Sequence, residues 1–180
     1  VGDPNTGLFS PGADMFSIST GGNEALRVNS IASSVNYVSI IPAGTLVSPI
    51  IAGTGSDTNV DLTLQTKGTG GVIAKGTLRS VDPATGASSI NAAASVDWSK
   101  GNNQGMSVAC TSTTFTNMLD GATYNLAVTE TGTTTCVFSQ TGLTFYFAPG
   151  NGNRLNGQPT FYSFTRIGSN VYVSWTTMNP

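Results

Sequence analysis

Residues 35–76 read VNYVSIIPAGTLVSPIIAGTGSDTNVDLTLQTKGTGGVIAKG. Short apolar runs alternate with Gly, Thr, Asn and Pro in small, nearly regular steps. None is long or amphipathic enough for a helix. The pieces 35–41, 46–52, 59–65 and 71–75 read as strands, and 67–71 as a turn. Val60, Leu62 and Leu64 alternate with Asp61, Thr63 and Gln65, the period of an extended chain with one apolar face. Pro42 and Pro49 demote their strands to sheet edges or mark strand starts, because proline donates no ladder hydrogen bond. One copy of such a segment cannot bury its own apolar side chains. It needs stacked neighbours, along the chain or from sister chains. The expectation is an elongated β-structured oligomer, with a structural or binding role before an enzymatic one.

Composition agrees with that expectation. The chain has 180 residues, of which 9% are charged and 38% hydrophobic, with a formal net charge of −2. Ordinary globular proteins carry about 25% charged residues. Gly, Ser, Thr and Asn make up the difference, and Val, Ile and Thr are plentiful, so ordered all-β structure with uncharged turns is expected rather than disorder. The basic residues Arg27, Lys67, Lys75, Arg79, Lys100, Arg154 and Arg166 are scattered. Nucleic-acid binding rests on clustered Lys and Arg, so it is not expected. No run of 18 apolar residues occurs, so no membrane insertion is expected. The sequence opens on Val1 within a loop-like motif and has no signal-peptide pattern. It reads as a piece of something longer.

Three zones follow one another. In residues 1–30, Gly/Pro-rich turns separate short extended pieces at 15–19 and 24–28, and Thr20-Gly21-Gly22-Asn23 suits a hairpin. Residues 31–79 are the repeat-like zone. In residues 80–180 the aromatics concentrate, and strand candidates recur at about 8–12 residue spacing, the pattern of a sandwich or barrel. They fall at 95–98, 106–110, 124–129, 135–139, 143–147, 160–167 and 171–176. The last two form a hairpin through Gly168-Ser169-Asn170. Val171, Val173 and Trp175 lie on one face of its second strand, and Tyr172, Ser174 and Thr176 on the other. Residues 82–94 read as a linker or first strand. Cys110 and Cys136 admit one bridge within a sandwich core or two buried free thiols. With only two cysteines in a chain of this length, the thiol reading is preferred.

The opening GDPNTGLFSPGADMFSISTGGNEALRV (2–28) resembles a motif of bacteriophage tail fibres and related virion appendages. The likeness is carried by Asp3, Thr6, Gly7, Pro11 and Gly12, then by Thr20, Gly21, Gly22, Glu24, Ala25, Leu26 and Arg27. A second module of those proteins is similar to Val35-Asn36-Tyr37, to 55–62 and to 67–70. The segment TFYSFTRIGSNVYVSWTTM (160–178) looks like the closing hairpin of a head that often follows. The resemblance implies an all-β homotrimer. Its intertwined, β-prism-like shaft would be followed by an antiparallel, jelly-roll-like β-sandwich head. Independently of the resemblance, glycine turns allow close approach of chains near a threefold axis. Low charge also lets identical surfaces meet.

The chemistry of the sequence is sparse. There is no histidine, which removes Ser-His-Asp, Cys-His and His-metal sites. A carboxylate pair could hydrolyse a polysaccharide, but Asp3, Asp57, Asp82 and Asp120 sit in turns and Glu130 ends a strand, where acids are turn formers. Asp57-Thr58-Asn59-Val60-Asp61 has the spacing that opens a calcium loop, yet Leu62 and Gly68 stand where that loop needs Gly and Glu. The glycine runs at 53–55 and 68–71 lack the Lys-Ser/Thr and helix of a phosphate loop. No catalytic residue, metal or cofactor is expected. Exposed aromatics are the binding signal, since sugar rings stack on Trp and Tyr faces. Trp98, Tyr146, Tyr162 and Trp175 are the candidates, with Arg154 the one charge in the loop 149–158.

The reading is therefore a virion appendage. Its N-terminal end would meet other virion proteins, and its tip a host-surface glycan or protein. The alternatives are a purely structural head fibre, decoration or connector protein, and a polysaccharide-degrading spike.

Overall fold

The computed structural model describes residues 5–108, 110, 112–129, 136–148 and 159–178. Among them are fourteen strands, one 3-10 turn and no α-helix, so the chain is all-β. Two compact units are present, Val1–Ile73 and Ala74–Pro180. The sequence placed its division between residues 79 and 80.

In the first unit, β1 (Gly7–Phe9), β2 (Phe16–Thr20) and β3 (Asn23–Val28) form an antiparallel three-stranded sheet. Thr20 pairs with Asn23 across Gly21 and Gly22, whose φ angles are 56° and 78°. Positive φ at both central residues is what a tight hairpin turn demands, and two glycines supply it without strain. The register shifts between Ile18 and Ser19, so that Ile18 faces Leu26 while Ser19 faces Glu24. This bulge places Glu24 beside buried Ser17, whose hydroxyl donates to Oε1 at 2.6 Å. Arg27 donates from Nε to the same carboxylate at 2.7 Å. Those bonds, Arg27 first and Ser17 second, hold the Glu24 carboxyl below its ordinary range. The Thr-Gly-Gly-x-Glu-Ala-Leu-Arg motif is thus a turn, a bulge and an ion pair in one hairpin.

The same unit contains a two-stranded antiparallel ribbon, β4 (Asn36–Ile41) and β5 (Ile50–Gly55). Ile40 faces Ile51 across the ribbon, and Ile41 faces Ile50. Neighbours along a strand point to opposite faces, so both faces are apolar. Ile40 is 78% exposed and Ile51 63%. The stretches 59–65 and 71–75, expected to be strands, join no ladder among the described residues. Their alternation assigns faces, but a strand also needs a backbone partner, and these segments find none among those residues.

The second unit has a buried core. A six-stranded sheet runs in the order β12-β14-β13-β10-β8-β6, with β6 (Ile90–Asn91), β8 (Asn103–Met106), β10 (Thr123–Val128), β12 (Thr144–Phe147), β13 (Thr160–Ile167) and β14 (Asn170–Thr177). A three-stranded sheet runs β11-β9-β7, with β7 (Ser95–Asp97), β9 (Ser112–Thr116) and β11 (Val137–Ser139). Phe115 and Phe138 of the smaller sheet meet Phe164 of the larger, each with ring centroids 5.0 Å apart and nearly perpendicular. Trp98, Tyr124 and Tyr162 fill the rest of this layer.

The expected antiparallel arrangement is corrected by the pairing. Among the described residues of this unit only β10·β13 and β13·β14 are antiparallel. The pairs β6·β8, β8·β10, β7·β9, β9·β11 and β12·β14 are parallel. The reason lies in the winding. Successive strands from β6 to β12 alternate between the two sheets, so that from β6 to β11 each strand lies beside the next but one. Parallel pairs need a long crossover, and here a strand of the opposite sheet serves as it. The β13–β14 hairpin then inserts between β10 and β12. Its two-residue turn has Gly168 at φ 61°.

Parallel stacking also brings like residues side by side. Asn125 is in register with Asn103 and donates to its Oδ1 at 2.8 Å. Asn91 donates to Gln104 Oε1 at 3.1 Å and to the Gly105 carbonyl at 2.9 Å. Buried Gln104 donates to the carbonyls of Asp97 (2.7 Å) and Gly101 (2.8 Å). These amides satisfy one another and the backbone, as buried polar groups must.

The cysteines follow the same rule. Cys110 shortly precedes β9 and Cys136 immediately precedes β11, and those strands pair in parallel. Their Cα atoms lie 5.0 Å apart and the pair is a disulfide, which corrects the free-thiol reading. Spacing along the chain could not show that both begin neighbouring strands. The bridge closes a loop of sequence separation 26, so chain entropy gives it about 3.5 kcal/mol. The double variant Cys110→Ala/Cys136→Ala is expected to lose that much in guanidinium unfolding, with the C-terminal unit melting on the order of 15 °C lower.

A candidate binding face on the six-stranded sheet

The alternation of β13 and β14 divides the aromatic side chains between core and surface. Trp98 is 3% exposed and Tyr162 2%. Trp98 packs against Phe115, Tyr124 and Phe164. Both were surface candidates in the sequence, and both are buried core residues here. Trp175 shares the inner face with Val171 and Val173 and packs partly buried against the core. Arg154 lies outside the described residues, as do Asp3 and Glu130. Of the four sequence candidates among the described residues, Tyr146 alone stands on the outer face of the larger sheet.

Tyr146 has a neighbour that the sequence reading did not single out. It is in register with Tyr172 across the parallel β12·β14 pair. The two rings are stacked, with centroids 5.8 Å apart and planes 22° from parallel, and they are 51% and 49% exposed. The strand alternation already turned Tyr172 outward. What it could not supply was the neighbour, because β12 reaches β14 only through the inserted hairpin.

From these rings the outer face continues as rows across the sheet. The first runs Tyr146, Tyr172, Thr165, Thr123, and the two threonine hydroxyls lie 3.3 Å apart. The next runs Ser174, Ser163, Asn125, Asn103. The third runs Thr176, Phe161, Ala127, Gly105, Ile90. Three shallow clefts open on this face. One, of about 330 Å³, is lined by Tyr146, Tyr172, Ser163, Thr165, Ser174 and the adjoining 147, 148 and 173. A second, of about 420 Å³, lies around Ile90, Asn103, Asn125, Ala127 and Phe161. A third, of about 270 Å³, joins them at Phe161, Ser163 and Ser174 and is also bordered by Trp175 and Thr176. Among the described residues none that lines any of the three is charged.

The described acids of this unit are engaged elsewhere. Asp120 accepts the Gly168 amide at 2.6 Å and so holds the β13–β14 turn. Asp82 accepts the Ala84 amide at 2.8 Å in its own turn. Burial pushes the Asp97 carboxyl up, but bonds from Asn117 and Ser99 outweigh it and keep the group below the ordinary carboxylate range. In the first unit Asp57 accepts from Asn36 at 2.7 Å. Among the described residues no three His, Cys, Asp or Glu side chains gather as a metal set.

Comparison with protein-family models, with curated proteins and with solved structures found no match.

Proposed function

We propose that this chain is a segment of a trimeric virion appendage, a tail fibre or spike. Residues 1–79 would form an intertwined β-prism-like shaft, and the two-sheet C-terminal unit would be its tip for attachment to a host surface. The observation that carries this reading is the β4–β5 ribbon. A two-stranded ribbon is marginal in water even with one apolar face. This one has two, with Val38, Ile40 and Ile51 on one side and Tyr37, Ile41 and Ile50 on the other, all exposed in the single chain. Sister chains are the neighbours of matching chemistry, since a face without charge meets its own copy without repulsion. The unpaired segments at 59–65 and 71–75 would find their ladder partners there too. The phage-like motifs of residues 2–70, met in order, add independent support. Attachment would act through avidity, with three tips per trimer adding weak contacts.

Gold-labelled antibodies against the C-terminal unit are expected to mark the free end of an external appendage on intact virions. Label spread over the capsid wall would instead indicate a decoration protein, and particles without label would end the proposal.

A further inference from the structure

We propose that the cleft beside Tyr146 and Tyr172 is a binding site for a neutral pyranose oligosaccharide. The inference rests on the attachment reading above and names the class of receptor. Four features of the outer face converge on it.

The first is the ring pair. Tyr146 and Tyr172 are in register on adjacent strands, stacked at 5.8 Å, and each about half exposed. A tyrosine face carries partial negative charge, and the axial C–H groups of a pyranose ring carry partial positive charge. The two therefore attract while both shed water. Because both rings stand on paired strands, little side-chain freedom remains to be lost when a ligand arrives.

The second is the polar floor. Ser163, Ser174 and Thr165 line the same cleft. Hydroxyls both donate and accept, which matches sugar hydroxyls that do the same. Ser163 and Ser174 are register partners, so the two groups stand side by side rather than scattered. This combination of an apolar wall and a few convergent polar groups is the usual make-up of a ligand site.

The third is the absence of charge. Among the described residues no Asp, Glu, Lys or Arg lines this cleft or the two that adjoin it. A sialylated, uronic or phosphorylated glycan finds no counter-ion among those residues, whereas a neutral glycan needs none. The fourth is continuity. Ser163 and Ser174 also line the neighbouring cleft that leads to Phe161, so the surface has room for further sugar units beyond the first. The site is open and shallow, and its affinity for a single oligosaccharide is expected on the order of millimolar.

The test uses the full 180-residue chain and three probes, maltotriose, cellotriose and lactose, read by saturation-transfer NMR up to about 10 mM. An array of neutral and acidic glycans runs in parallel. Binding of at least one neutral sugar is expected. Tyr172→Ala is expected to weaken it by roughly tenfold or more, the scale of losing a stacking ring. Tyr172→Phe keeps the ring and is expected to retain binding. Ser163→Ala/Ser174→Ala is expected to weaken binding and reduce discrimination among the three sugars. Unfolding curves of each variant check that the sheet is intact.

No neutral sugar bound by the unmodified chain, or equal binding by the Tyr146→Ala/Tyr172→Ala variant, would overturn the site. So would a preference for acidic glycans alone. Sedimentation of the same samples separates this inference from the proposal it rests on. A trimer that binds no sugar overturns the cleft and leaves the appendage standing. A monomer that binds maltotriose through Tyr172 overturns the trimer and leaves the cleft.

Discussion

Ile40→Asp is expected to dissociate the assembled chain. The unmodified protein should sediment as three copies of 18.4 kDa, and the variant as separate chains that lose the structure of residues 36–55. In one isolated chain, Ile40 lies on an open ribbon face at 78% exposure. A surface substitution there changes stability by no more than about 0.5 kcal/mol. The outcome differs if sister chains cover the ribbon. A carboxylate buried without a partner costs several kcal/mol, and a symmetric trimer repeats that cost three times. The same change is therefore nearly silent in a monomer and disabling in a trimer. Ile40→Val removes only a methylene and should leave the mass unchanged, at a cost of about 0.5–1.5 kcal/mol per chain. Sedimentation velocity over a range of protein concentrations distinguishes the cases, since the melting temperature of an obligate oligomer rises with concentration. A folded monomer of the unmodified chain, or a trimer that tolerates aspartate at this position, would overturn the trimeric reading.

How far the sequence could be read follows from what alternation encodes. The hairpins β2–β3 and β13–β14 were legible because their partners are adjacent in the chain and their turns carry glycine. The faces of β14 were legible for the same reason, and Val171 and Val173 are buried as their alternation with Tyr172 requires. What alternation cannot give is the neighbour of a strand that pairs at a distance. The β8·β10 and β9·β11 ladders skip a strand, so nothing local marks them as parallel. β9 itself went unnoticed because Ser112, Thr113, Thr114 and Thr116 are polar. Thr113 is nevertheless buried beside the Met106 sulfur, at 3.9 Å. The bridge of Cys110 with Cys136 and the pairing of Tyr146 with Tyr172 were hidden for the same reason. Each joins residues that become neighbours only through parallel stacking.

The aromatic candidates show a second limit. Tyrosine and tryptophan are suited both to cores and to binding surfaces. A residue count therefore cannot separate Tyr146 from Tyr162. Strand register does, and it places one on each side of the same sheet. The likeness to virion appendages is carried by short motifs at 2–28, 35–37, 55–62, 67–70 and 160–178. The physical content of the first is a glycine turn, a bulge and the Ser17–Glu24–Arg27 cluster. None of these identifies a partner. The proposed trimer is supported instead by the β4–β5 ribbon, whose two faces both carry exposed apolar side chains.

Phe164→Ala is expected to cost about 3–5 kcal/mol, a large part of the roughly 5–15 kcal/mol by which a domain of ordinary size is folded. Phe164 has no solvent exposure and lies against Trp98, Phe115, Phe138 and Tyr162, with centroid distances from 5.0 to 6.1 Å. It meets rings of both β9 and β11 across the two sheets, so its removal leaves a cavity that neither sheet can close without moving its strands. Phe161 is three residues away on the same strand but faces outward at 37% exposure. Phe161→Ala should cost about 1 kcal/mol or less, although the chemistry of the change is identical. Guanidinium unfolding followed by tryptophan fluorescence measures both, because Trp98 and Trp175 are the two tryptophans of the chain and both lie in the C-terminal unit. The contrast tests the register of β13 directly. A one-residue slip of β13 would exchange its two faces, make Phe161 the costly position, and move Ser163 and Thr165 away from the surface on which the sugar site depends.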